Sequence, residues 1–225
     1  MTFSITAHCS ETGMVGTAVS SSSPCVAARC AHVRAGVGAV STQNITDPRL
    51  GPKGLDLMAQ GMGAAAALEA LKREAPHMDY RQLALVDAQG GAAHFSGART
   101  LGTHHALAAD GVVAAGNMLS SGAVVEAMIT AFAAGAGQPL GDRLIAAMQA
   151  ALEAGGEEGD VHSAGMLLAR EVAWPVADLR IDWTDACPVA ELAALWERWE
   201  GEMDAYVGRA LDPGAAPSYG VPGDL

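Results

Sequence analysis

Apolar positions run through this chain in two rhythms, short β-branched runs over the first forty residues and helical spacing after residue 50. Residues 2–9 and 15–22 read as strands, and SETGM between them supplies Ser, Thr and Gly for a turn, which predicts a hairpin. Residues 35–43 (AGVGAVSTQ) are small and β-branched enough for a buried strand. Beyond the DPRLGPKG loop the period changes to helical over 55–60 and 64–73, split by Gly61 and Gly63. In the second of these, Ala64, Ala67, Leu68 and Leu71 form one face and Glu69, Lys72 and Arg73 the other. A second hairpin is predicted over 82–87 and 92–96 about AQGG, followed by short apolar pieces at 106–109 and 111–115.

Ser120 or Ser121 is a cap for a helix reaching residue 134, and 140–154 makes another after a Gly-rich break. Strand character returns over 163–170 and 177–183. Pro188 then suits the first turn of a long amphipathic helix over 189–211, which carries Trp196 and Trp199. Helices arriving in pairs between hairpins predict an α+β fold, two mainly antiparallel sheets packed face to face with helical layers outside. The strict βα alternation of a doubly wound sheet is absent. No repeat or linker divides the chain, so 1–211 is expected to form one domain and 212–225 a Pro/Gly-rich tail.

A chain of 225 residues buries about 70% of its unfolded surface, enough for a core without staples. Aromatic residues are only 4%, so Ala, Gly and Val must supply much of the interior and favour close backbone packing. A net charge of -12 with no basic stripe excludes a nucleic-acid partner, whose phosphates need Lys and Arg. Cys9, Cys25, Cys30 and Cys187 form no CxxC pair and no zinc spacing, so no metal site is expected. There is no signal peptide and no long apolar span, which points to a cytoplasmic protein without a membrane partner. RAGVGAV lacks the third Gly of a dinucleotide loop, and no cofactor is expected. Trp196 and Trp199 on the last helix motivate the expectation of a homodimer.

Candidate chemistry begins at Thr2. An N-terminal Thr holds its hydroxyl and its own α-amine a few bonds apart, and an amine with a pKa of about 8 can take the hydroxyl proton at neutral pH. Met1 must first be removed, and a Thr behind an initiator Met is also ordinary trimming. Asn117 in AAGNM sits on a Gly-flanked turn, where its amide either donates to an oxyanion or caps the turn. STQN ends a strand with Ser41, Thr42, Gln43 and Asn44, a polar cluster suited to substrate positioning or to a satisfied turn. Arg34 and Arg49 flank it as candidates for a substrate carboxylate. Cys9 or Cys30 as a nucleophile is the further option.

The segments MTFSITAHCSETG, VGTAVSSS, RAGVGAVSTQN, DPRLGPKGLDLM, QLALVDAQGGAAHFSG, AAGNMLSS, GDVHSAGMLLAR and ADLRIDW together resemble domain-of-unknown-function family 1028, over nearly the whole chain. That family is similar in architecture to the N-terminal-nucleophile hydrolases. The resemblance implies a four-layer αββα sandwich whose chain begins in the central sheet and whose first processed residue, here Thr2, attacks an amide carbonyl. It further implies that Asp160 and Ser163 in GDVHS correspond to the Asp and Ser that steady the free amine in proteasome-like members. An amidohydrolase acting on a small-molecule substrate, an amide or acylated amine, is the reading this supports; a noncatalytic binding or assembly module on the same scaffold is the alternative.

Overall fold

The computed structural model describes residues 1–221. The chain opens with the hairpin β1 (Thr2–His8) and β2 (Val15–Ser21), then a short helix α1 (Ala27–Cys30) and a second hairpin, β3 (Ala31–Arg34) with β4 (Gly38–Asn44). Helices α2 (Leu50–Ala59) and α3 (Ala64–Glu74) lead to β5 (Arg81–Asp87), β6 (Ala92–Ser96), β7 (His105–Ala109) and β8 (Val112–Asn117). After α4 (Ala123–Ala134) and α5 (Leu140–Glu153) come β9 (Ser163–Ala169), β10 (Ala177–Ile181), α6 (Pro188–Glu200) and α7 (Met203–Leu211). The strands pair antiparallel into two sheets, ordered β10-β9-β2-β1-β8-β7 and β3-β4-β5-β6. The α+β expectation with two antiparallel sheets holds.

Strand alternation decides what each face meets. On β1, Phe3, Ile5 and Ala7 join Met166 and Leu168 of β9, Met128 of α4, Leu144 and Met148 of α5 and Leu192 of α6 in the larger core. On the other sheet, Val40, Leu83 and Leu85 pack with Leu55 and Met58 of α2 and Ala67 and Leu71 of α3. Full burial of each large apolar side chain contributes roughly 1.5–3 kcal/mol, so most of the stability resides in these two sheet–helix cores. The clusters linking the two sheets are smaller. They hold Val15, Ala39 and Ala169, or Ala84, Val86 and Val113, or Val19, Cys30 and Leu167. Ser41 Oγ of β4 donates to Ser4 Oγ of β1 at 3.1 Å, a hydroxyl pair that joins the sheets directly.

Four boundaries differ from the sequence reading for local reasons. The expected strand 35–43 starts only at Gly38, because Gly36 (φ +67°) turns the chain between β3 and β4, and β3 itself was not anticipated. Gly38 takes φ +154°, and a Cβ there would lie 2.4 Å from the Val86 carbonyl oxygen, so the tight approach of β4 to β5 needs glycine. Helix α2 begins at Leu50, five residues early, since Pro52 falls in the first turn, where a missing N–H costs nothing. Helix α4 has Gly122 at its N-cap and no side-chain cap, so neither Ser120 nor Ser121 plays that part.

The expected helix 189–211 is two, α6 and α7, broken between Glu200 and Met203. Both tryptophans are committed within the chain. Trp196 is buried and its Nε1 donates to Asp142 of α5 at 2.7 Å, while Trp199 Nε1 donates to the Val176 carbonyl at 2.9 Å and its ring stacks on Tyr206. The expectation of a homodimer therefore loses the observation that motivated it. Of the expected tail, 222–225 lie outside the described residues; Arg209 of α7 donates to the Pro217 carbonyl at 3.2 Å.

Gly141 tests how α6 docks. A Cβ at this position in α5 would stand 2.2 Å from Trp196 Cζ2, a rigid buried ring. Gly141→Ala is expected to lose about 1–3 kcal/mol in urea unfolding despite the better helix propensity of Ala, through overpacking. Unchanged stability would show that α6 is free to shift.

Candidate functional site

The residues facing the other sheet from β1 are Thr2, Ser4 and Thr6, the polar half of its alternation. Thr2 opens the strand at the centre of the larger sheet, directly opposite Asn117 of β8, and is buried at 5% exposure. Its Oγ1 lies 3.4 Å from Ser21 Oγ of β2, and both hydroxyls hydrogen-bond to the Met1 carbonyl oxygen. Ser21 Oγ also pairs with Ser23 Oγ at 2.8 Å. The Ser21–Ser23 segment is fastened in turn by Ser163 of β9, whose buried Oγ donates to the Ser23 carbonyl at 2.6 Å and accepts the Val26 N–H at 3.2 Å. Ser163 therefore acts on the site through Ser23.

A chain of buried amides continues from Asn117 across to the smaller sheet. Gln82 of β5 is its hub. Gln82 Oε1 accepts from Gln43 Nε2 at 2.8 Å and from Asn117 Nδ2 at 3.1 Å, while Gln82 Nε2 donates to the Gly116 carbonyl at 2.9 Å and to Ser96 Oγ at 3.0 Å. Asn117 Oδ1 is buried with no partner. Its Nδ2 carries a second N–H besides the one given to Gln82, so the amide keeps both a donor and the unpaired acceptor Oδ1. Gln82 and Ser21 were not singled out from the sequence, although a Gln inside a buried strand run is a legible signal.

The STQN cluster divides by strand parity. Ser41 and Gln43 point between the sheets, and Ser41 Oγ reaches Gln43 Oε1 at 3.4 Å. Thr42 points the other way and donates to the Asp47 carbonyl at 3.3 Å. Asn44, in the left-handed region at φ +72°, braces loops through Tyr80 O (2.6 Å) and Leu101 N (3.2 Å). Arg34 pairs with Asp56 at 2.9 Å, and its strand partner Gly38 lies at the opposite end of β4 from Asn44. Arg49 is exposed and clamps Asp47, holding that carboxyl down at about 2. Asp160 is exposed, and its carboxylate has no hydrogen bond or ion pair among the described residues. The structure therefore gathers Thr2, Ser21, Asn117, Gln82 and Gln43 into one buried seam, with Ser163 behind it.

Glu157 is the residue that sequence reasoning missed. It is 6% exposed, its backbone bridges Leu119, Oε2 accepts the Ser22 N–H at 3.3 Å, and Oε1 is buried without a partner. Burial pushes its carboxyl up to about 7, opposed by the positive charge of the chain's terminal amine. In GGEEGD nothing distinguishes it from the exposed Glu158 beside it. The cysteine option fares differently. Cys30 is buried and its thiol is pushed up by burial, which makes a poor nucleophile, and Cys9 lies beyond the far end of β1.

The model of a "Family of unknown function (DUF1028)" matches residues 2–192. The chain belongs to the DUF1028 family. A crystal structure of protein SPO2555 from Silicibacter pomeroyi, described with the same family, superposes with a TM-score of 0.80 at 31% identity and covers 88% of each chain. Comparison with curated proteins finds no match. Since the DUF1028 match begins at residue 2, it takes in Thr2 and the whole buried seam, Glu157 included. Among the described residues of this DUF1028 chain, no three His, Cys, Asp or Glu side chains assemble as a metal group, and no helix is long and apolar enough to cross a membrane.

The Glu157 carboxyl gives this site a pH signature. Its folded value of about 7 lies above the roughly 4.3 of an unfolded Glu, so its stabilising contribution is complete below about pH 4 and is lost as pH rises to 7. The loss is on the order of 3 kcal/mol. Glu157→Gln is expected to be more stable than the parent at pH 8 and equal to it at pH 4, measured by urea unfolding at both. An equal difference at the two pH values would mean that Glu157 does not titrate in this window.

Proposed function

We propose that this chain is an amidohydrolase of a small amide or acylated amine, with Thr2 as nucleophile once Met1 is removed. The observation that carries the reading is the pair of hydroxyls, Thr2 Oγ1 and Ser21 Oγ, converging on one carbonyl oxygen at the buried start of the central strand. That carbonyl belongs to Met1, so its removal releases two neighbouring hydroxyls 3.4 Å apart, one available as nucleophile and the other as donor to an oxyanion, as acyl transfer needs. The helices on the outer faces of both sheets, and a chain that starts in the central strand, support the four-layer hydrolase-like sandwich and a single unit over 1–211.

Chemistry then follows from the residues. The Thr2 Oγ1 proton passes to the α-amine as Oγ1 bonds to the substrate carbonyl carbon, and the oxyanion accepts from Ser21 Oγ. Collapse breaks the C–N bond, and the proton carried by the ammonium goes to the leaving amine. Water, deprotonated by the same amine, then cleaves the Thr2 ester and returns the free hydroxyl. Asn117 and Gln43 set the polarity of the substrate side of the seam, with Asn117 the further candidate for the oxyanion. Removing Met1 opens the place its side chain takes against Gly159, whose added Cβ would lie 3.6 Å from Met1 Cε.

A second reading is favoured by the same carbonyl. With Met1 attached, Thr2 and Ser21 are both occupied, as in a scaffold that binds or assembles without catalysis. The two readings part on a simple experiment. In the hydrolase, the intact mass lacks Met1 and a β-lactone forms one adduct on Thr2. Thr2→Ser keeps labelling within about tenfold, and Thr2→Ala lowers it by about 10³-fold or more. Retention of Met1 with no adduct would leave the scaffold reading standing.

A further inference from the structure

Glu157 lies at the end of the larger sheet where β1 begins. Strand β1 starts at Thr2 opposite Asn117, the last residue of β8, and β2 ends at Ser21. Glu157 spans the two segments that leave those strand ends: it bridges Leu119 just after β8, and its Oε2 takes the N–H of Ser22 just after β2. Oε1 is left buried and unpartnered, and the one charge acting on the group is that of the chain's terminal amine. From the segment after β2 it meets the backbone N–H and the hydroxyl of Ser22, and the Leu119 segment brings no ionisable side chain. Among the described residues, no other group bonds to Oε1.

We propose that Glu157 is the positioning residue for the α-amine of the Thr2-initiated chain, accepting one of its N–H groups on Oε1. This rests on the hydrolase reading for its catalytic consequence. Loss of Met1 retracts the chain end by one strand residue, about 3.3 Å, and the Glu157 carboxyl already lies close enough to the terminal amine to feel its charge. Held from this side, the amine aims its lone pair at Thr2 Oγ1. As the amine takes the hydroxyl proton, the positive charge that forms on nitrogen faces the Glu157 carboxylate, and this attraction favours the transfer. Glu157 itself neither gains nor loses a proton in the step.

The test uses full-length protein released with Thr2 first from a cleavable fusion, compared with its Glu157→Gln and Glu158→Gln variants. The amine's pKa is read from pH-dependent acetylation by acetic anhydride mapped to the N-terminal peptide, and nucleophilicity from the rate of hydroxylamine-labile β-lactone ester at Thr2. Glu157→Gln is expected to lower the amine's pKa by about 1 unit and to slow labelling about 10- to 100-fold, with Glu158→Gln unchanged. An amine pKa and a labelling rate both unaltered in Glu157→Gln would overturn the proposal. A shifted amine with no ester in any protein upholds Glu157 as the amine's anchor and removes the hydrolase reading instead. Should Glu157→Gln not fold, Glu157→Asp keeps the charge and withdraws it by one methylene. Slower labelling in that variant supports the contact, and parental values for both readouts refute it.

Discussion

The structure depends on how its two sheets approach one another. Their outer faces bury large apolar side chains against helices, but the seam between them is built from Ala, Val, Ser, Thr and Gln. Small residues let the backbones come close, and the hydroxyl pair Ser4–Ser41 and the amide hub Gln82 satisfy the polar groups that this buries. An unpaired buried amide or hydroxyl costs about 1–3 kcal/mol, so the seam is stable only because its members bond to one another. Among the described residues, both buried acceptor atoms without partners, Asn117 Oδ1 and Glu157 Oε1, lie near the chain's first residues, the one opposite Thr2 and the other bridging Leu119.

That placement joins architecture to chemistry. A central strand is held on both sides by ladders, so Thr2 begins the most constrained element of the larger sheet rather than a free terminus. Ser163 reaches the site from β9 by fixing Ser23, and Gln82 reaches it from the other sheet through Asn117. A side chain held in this way has little conformational freedom left to lose. Stability lies mainly in the outer cores, and the polar seam can carry unpaired acceptors because the cores stabilise the fold around it.

Elements were legible where composition and spacing agreed. The hairpins 2–9/15–22 and 82–87/92–96 and the helices near 64–73 and 140–154 fall close to their structural positions, since turn residues and apolar period name them locally. Strand β3 was hidden because AHVR is short and half-buried, and the glycines beside it read as strand interior when they make the turn. The break between α6 and α7 was also missed, because the apolar pattern continues on both sides of Gly201 and Glu202. For the site, Thr2 stands out in the sequence by position alone, whereas the expected substrate cluster does not stay together: parity turns Thr42 away from Gln43, and Arg34 and Arg49 meet Asp56 and Asp47.

By itself the sequence determined the fold class, the alternation of paired strands and paired helices, and the family, because these follow from local period, turn chemistry and segments quoted along nearly the whole chain. Only the tertiary structure decided which polar residues meet. Gln82, Asn117 and Gln43 come from three strands in two sheets, and Glu157 reaches Ser22 over 135 residues of chain. Such contacts depend on sheet register and on which segments meet where the strands end, neither of which any local pattern encodes.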